Sequence, residues 1–440
     1  MGGAMADETL FPIGDAQPKA GEPALSPRVK YAVRNQVEYL MADLDSAVPV
    51  DHQVRTVWDF VEQADLSELY AKIKAVEGHV GRTPIDPRIL LALWLYATLD
   101  GIGSARALEK LCEESMPYRW ICGGVSVNYH TLADFRSQTG AVLEEILIDH
   151  IASLRAAGAV SLNRVSHDGL RVRAHAGSGS FRRKDTLDRF LQEAQQQVEA
   201  LRRELEENPA ASDERRKAAR QRAARELQTR VSEALRQYAD VKKKKKHDKN
   251  QARVSTTDPD ARKMRMADGG TRPAYNIQIS TDTATQLIVG VEAIQGGSDF
   301  DRLVPALQWI RKKYGCVPQE MLVDGGYAQR KAIAEAAQSP YHCTVYAPLP
   351  KPTNKNQTVE RPFKTETALD RQWRERMGTE KAKTIYKERA ATSECVNAQA
   401  RNRGLQQFPV RGSPKVNAVV MLYALAHNLV RAAKLQKKAS

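Results

Sequence analysis

The sequence predicts an α/β protein: a mixed sheet preceded by a helical N-terminal domain and interrupted by a helical hairpin. Three observations predict it. Apolar residues recur at helical spacing from Val57 to about residue 155, and beyond Gly158 they alternate or gather into short runs of branched residues. Between the first of those runs and the next lies a heptad seam. At 440 residues, the chain is long enough for about three units of roughly 150 residues. Its 42% hydrophobic and 27% charged content excludes whole-chain disorder, a collagen-like repeat and a membrane bundle.

Residues 1–28 are rich in Gly and Pro and read as a flexible leader. A helical domain over 29–155 follows. Trp58, Val61 and Leu66 mark its first helix, and Leu90, Leu91, Leu93, Trp94 and Leu95 make the next one apolar nearly all round, which predicts burial. Gly101 and Gly103 break that helix, Ser104 caps a third, and a further helix starts near Asn128. There Leu132 and Phe135 share one side, leaving Tyr129, His130 and Arg136 to face outward. This helix reads either as a DNA-reading element around His130 and Arg136 or as an ordinary amphipathic helix with a solvated face.

The second domain spans 160–440. Residues 162–172 alternate and contain Asp168, and 274–279, 287–294 and 321–323 read as further short strands. The insertion over 184–252 carries Leu187, Leu191, Ala194, Val198, Leu201 and Leu205 in steps of four and three, then Asn208-Pro209, then Ala224, Leu227, Val231, Ala234 and Tyr238. Two helices about a proline-bearing turn predict an antiparallel hairpin. It ends in the five lysines 242–246, a solvated run or a phosphate contact. Near the end, Val419, Leu422, Leu425, Ala426 and Leu429 predict a packing helix.

Lys and Arg total 67 against 53 Asp and Glu, a net charge of +14 that favours an anionic partner, most often nucleic acid. Five cysteines without a CxxC pair fit a reducing, cytoplasmic compartment. The apolar stretch 89–99 is too short to span a bilayer, so no membrane partner is expected.

Three carboxylates stand out. Asp168, in Val165-Ser166-His167-Asp168-Gly169, and Asp324, between Met321-Leu322-Val323 and Gly325-Gly326-Tyr327, read as acids closing strands and pointing into a crevice at the carboxyl end of a sheet, or as simple helix caps. Glu394 follows Tyr386 by eight positions and precedes Arg401 by seven, nearly two helical turns, so acid and base share a face. Hard oxygen ligands without a His or Cys cluster suit Mg²⁺ or Mn²⁺. A pair of such ions serves an in-line phosphodiester displacement.

At these residues the chain resembles the bacterial insertion-sequence transposases of the DDE type, whose catalytic domain has the ribonuclease H fold. The blocks that carry the resemblance are Asp86-Pro87-Arg88 to Leu95, Gly101-Ile102-Gly103-Ser104 to Cys112, Tyr118-Arg119-Trp120, residues 130–136, residues 255–262 and Tyr275-Asn276-Ile277-Gln278. The resemblance implies a catalytic and metal-binding triad of Asp168, Asp324 and Glu394 holding two Mg²⁺ or Mn²⁺ ions. It implies double-stranded DNA partners, the terminal inverted repeats and a target, and a homodimer in the DNA complex.

The family's signature near its glutamate is Tyr, two residues, Arg, three residues, Glu, six residues, Lys. Here Tyr386 and Arg389 match, four residues separate Arg389 from Glu394, and Arg401 replaces the lysine. On a regular helix, the extra residue turns Arg389 by roughly 100° relative to Glu394. Arg389, Arg401 and Arg403, with Tyr386, are the expected phosphate contacts. A DNA-binding protein that has lost catalysis and a ribonuclease H-like nuclease acting on branched DNA are the competing functions.

Overall fold

The computed structural model describes residues 43–73, 83–207, 214–244, 251–350, 362–363 and 365–439; the 1–28 leader and the last two lysines of the 242–246 run lie outside them. The described chain begins with helices α1 (Gln53–Gln63), α2 (Ser67–Ala71), α3 (Pro87–Leu99), α4 (Ala105–Glu114), α5 (Met116–Cys122), α6 (Tyr129–Gln138) and α7 (Gly140–Ala156). Their starts follow local chemistry. Asp86 accepts from the Arg88 amide with Pro87 at the first helical position, Ser104 accepts from Ala107, and Asn128 accepts from Thr131. Every residue of α3 from Ile89 to Ala97 is buried, as its all-round apolar sequence requires.

The sheet follows, built from β1 (Arg164–Arg173), β4 (Arg262–Arg265), β5 (Thr271–Asp282), β6 (Ile288–Ile294), β7 (Glu320–Val323) and β8 (Thr344–Tyr346). A separate pair, β2 (Phe181–Arg182) with β3 (Val254–Ser255), brackets helices α8 (Lys184–Glu207) and α9 (Glu214–Lys244). The main sheet runs β6-β5-β1-β7-β8, with β5 antiparallel to β6 and β1, and β7 and β8 parallel to β1. Three antiparallel strands followed by two parallel ones, with the first strand in the middle, is the ribonuclease H-like arrangement. β4 pairs with the opening residues of β5.

The remaining helices are α10 (Leu303–Tyr314), α11 (Arg330–Ala337), α12 (Ala368–Gly378), α13 (Glu380–Arg389), α14 (Cys395–Asn402) and α15 (Ser413–Ala439). Between α13 and α14, residues Ala390–Glu394 form a π-helical turn, so the chain continues from one helix to the next without a loop.

One sheet face, with Leu170, Val172, Ile277 and Ile279, shares a core with α3, α14 and α15. A second core joins Met321 and Val323 to Leu303, Leu307, Ile333 and Trp373. α15 is central: Val420, Leu422, Ala424, Leu425 and Leu429 are buried, and the Asn428 side chain pairs with the Ile288 backbone, accepting from its N–H and donating to its C=O at 2.7 Å each. By length and composition α15 passes as a membrane span, but 72% of its apolar window is buried inside the fold.

Candidate active site

β7 accompanies β1 only as far as the His167↔Val323 pair, whereas β5 continues along β1 to Arg173. Asp168 and Asp324 are the next residues of the two parallel strands, just where those strands part. The sequence reading set Asp168 at the end of its strand; the structure places it in the middle of β1, and the crevice arises because β7 stops there.

Ser166 and Asp168 point to the face covered by α13, the π-turn and α14. Ser166 Oγ meets Ser393 Oγ at 2.7 Å and fixes the π-turn on the strand. The Asn397 amide donates to Asp168 Oδ2 at 3.1 Å, and Arg389 Nη1 lies 3.6 Å from that same oxygen. Burial raises the Asp168 carboxyl to about 6; Arg389 opposes the rise, while Asp324 and Asp299 add to it. Tyr386, half-buried beneath the Arg389 guanidinium at 5.9 Å, has its phenol raised by burial and lies in the field of Asp324 and Asp168.

The expectation for Arg389 is therefore corrected. An extra residue in a regular helix would turn it away, but the π-turn takes up that residue as a wider loop of backbone, and Arg389 still reaches Asp168. Glu394 closes the π-turn with an exposed side chain, one helical turn before Asn397. Among the described residues, no group of three or more His, Cys, Asp or Glu side chains is arranged to hold a metal ion.

A carboxylate that the sequence reading missed stands on the opposite sheet face. Asp299, in the loop between β6 and α10, accepts through Oδ1 from Asn276 at 2.6 Å and from Gln278 at 2.9 Å. A Cβ added at Gly326 would lie 3.0 Å from Asp324 Oδ1 and 3.6 Å from Asp299 Oδ2, so both acids border the same small space. Gln278 Oε1 also accepts from the buried Tyr327 hydroxyl at 2.8 Å and meets His167 Nε2 at 3.0 Å, with Ser280 on the other ring nitrogen at 2.8 Å. Gly169 completes the fit: a Cβ there would come within 2.7 Å of Asp299 Oδ1.

The other expected DNA contacts divide. His130 is exposed beside Tyr129, Arg401 is exposed in the last turn of α14, and Arg403 is half-buried. Arg136 contradicts its expected outward position. It is 7% exposed, its guanidinium lies over the Trp94 ring at 4.1 Å, and it donates to the Gly103 carbonyl at 2.6 Å. An arginine with a long apolar stem can fill a core position when an aromatic face and a carbonyl receive its head.

Residues 42–138 match the family model "Transposase domain (DUF772)", and residues 325–433 match "Transposase DDE domain". A piggyBac transposase synaptic complex with hairpin DNA is a structural neighbour at TM-score 0.36 and 7% identity, covering 89% of this chain and 74% of that one. No curated protein matches the sequence.

Proposed function

We infer that this chain, an insertion-sequence DDE transposase, binds the terminal inverted repeats of its own element, cuts at their ends and transfers the freed 3′-hydroxyl to target DNA. The observation that carries the reading is the convergence of Asp168 and Asp324, from adjacent parallel strands, with Arg389 and Tyr386.

A divalent cation fits the donor set, because acidic oxygens crowd a half-buried crevice with one guanidinium to balance them. Asp168 and Asp324 would hold it, and Glu394, one turn from Asn397, would complete the shell by turning its exposed side chain inward. Mg²⁺ or Mn²⁺ bound there supplies activation of the attacking oxygen and stabilisation of the leaving oxygen. Arg389 presents a planar fork at the crevice, suited to a phosphate. Asn397 holds Asp168 in one orientation. Exposed Arg401 and His130 extend the basic surface for the DNA backbone, and joining two ends favours a dimer in the DNA complex.

The absence of a preassembled three-carboxylate group among the described residues is the observation behind the competing reading, a DNA-binding protein without catalysis. One experiment decides between them. Wild-type protein should cleave a terminal-repeat duplex in Mg²⁺, and Asp324→Asn should bind that duplex with near wild-type affinity and leave it uncut. Equal cleavage by both proteins would overturn the acid assignment; binding without cleavage by the wild type would favour the non-catalytic reading.

A further inference from the structure

A cavity of about 220 Å³ lies between the loop that follows α3 and the loop that follows α14, walled in part by Trp94, Gly103, Ser104, Arg136, Arg403 and Tyr423. It joins the two segments matched by transposase families, since Arg136 lies in the first and Arg403 in the second. The loops meet backbone to backbone. Gly101 and Gly404 both hold positive φ, at 73° and 81°, and a Cβ on Gly404 would come within 3.0 Å of the Gly101 carbonyl oxygen.

The charge in this wall is one-sided. Arg136 is buried, with Nη1 spent on Gly103 and Nε without a partner, and Arg403 Nη1 is likewise buried and unpartnered. Among the described residues, no Asp or Glu lines the cavity. The Gly103 carbonyl and the Trp94 ring receive part of the Arg136 head, but neither carries a negative charge, so an anion is the partner that both guanidinium groups lack in this wall. α4 begins at Ser104 on the same wall, adding the partial positive charge of a helix N-terminus. The space far exceeds the ~30 Å³ share of a single water, so a tetrahedral oxyanion fits with solvent around it.

We propose that this cavity is a phosphate-binding site, with Arg136 and Arg403 closing on the anion from the two family segments. Planar guanidinium forks match phosphate oxygens in geometry as well as charge. The phosphate belongs either to a DNA strand or to a free phosphate species. The proposal is independent of the metal-binding acids.

Inorganic phosphate is the probe. Thermal unfolding of the full chain is followed against phosphate and against chloride at equal ionic strength. The wild type should show a saturable rise in melting temperature with phosphate beyond that with chloride. Arg403→Gln should need about tenfold more phosphate, the loss of one charge-assisted contact worth about 1.4 kcal/mol, while exposed Lys415→Gln should respond as wild type. Arg136→Lys, which keeps the charge and loses the fork, serves as the second variant and should also weaken the response. No excess of phosphate over chloride in the wild type overturns the proposal, as does a wild-type response in both arginine variants. The salt dependence of duplex DNA binding, in phosphate-free buffer, then separates the sources. A slope reduced by about 0.9 in Arg403→Gln assigns the site to a DNA phosphate, and an unchanged slope with lost phosphate response assigns it to a free phosphate species. Neither measurement needs metal or cleavage, so the result stands apart from the outcome for Asp324→Asn.

Discussion

Arg389 reaches to within 3.6 Å of Asp168 across a π-turn that separates it from Glu394. The turn is held by the Ser166–Ser393 contact, and Asn397 grips the same Asp168 oxygen from the other side of it. One extra residue thus allows groups before and after it to address a single carboxylate. The π-turn absorbs one residue, so inserting a second alanine after Ala391 should exceed what it can take up and swing one flank by roughly 100°. The expected outcome is unchanged helix content by circular dichroism and DNA cleavage lowered at least about tenfold, the scale of losing a partner that orients a ligand. Undiminished cleavage would show that the wide turn is without consequence for the site.

Asp299 offers Oδ2 to the space it borders with Asp324 while Asn276 and Gln278 hold Oδ1. If it takes part in holding the cation, Asp299→Asn should raise the Mg²⁺ concentration for half-maximal cleavage by about tenfold or more, with DNA affinity unaltered. A magnesium titration of single-end cleavage checks this, and an unshifted midpoint would confine Asp299 to a structural role.

Gly169 follows Asp168, and a Cβ there would meet Asp299 Oδ1 at 2.7 Å, Asn276 Oδ1 at 2.9 Å and Gln278 Nε2 at 3.1 Å. Overpacking of this kind costs about 1–3 kcal/mol. Gly169→Ala should lower the urea midpoint accordingly, whereas Gly158→Ala, with no atom within 4 Å but a positive φ of 74°, should lose only the strain of that backbone conformation.

His150, His167 and His427 are each lowered to about 4 by burial. Each stays neutral in the folded chain while its unfolded counterpart binds a proton below about 6.5. Their stabilising effect is therefore complete above pH 6.5 and is lost as pH falls from 6.5 towards 4, at up to about 1.4 kcal/mol per pH unit for each ring. Urea unfolding at pH 7.5 and 5.5 should show the drop, and His150→Asn should make it smaller by one ring's share. An equal drop in that variant would contradict a half-buried, neutral His150.

The positions of the two aspartates were legible because each lies on or just after an apolar-patterned strand and precedes glycine. The reach of Arg389 to Asp168 was not legible because the sequence alone does not mark a π-turn: that turn is held by Ser166, more than two hundred positions away. Arg136 was turned outward because an arginine beside an apolar stripe ordinarily seeks water, and Trp94 became its partner only on packing. Asn276, Gln278 and Ser280 alternate with Tyr275, Ile277 and Ile279, which reads as a strand with one wet face. That face is buried, and the polar alternation was the available sign of Asp299, its acceptor.

The position of α15 governs when the fold can be completed. This helix supplies much of the largest core, touching α1, α3, α6, α7 and β6, yet it is encoded after more than 400 other residues. During synthesis, Asp168 and Asp324 emerge long before the helix that seats the N-terminal helices against the sheet. Any product halted before residue 413 lacks the helix through which the N-terminal helices and the sheet share their largest core.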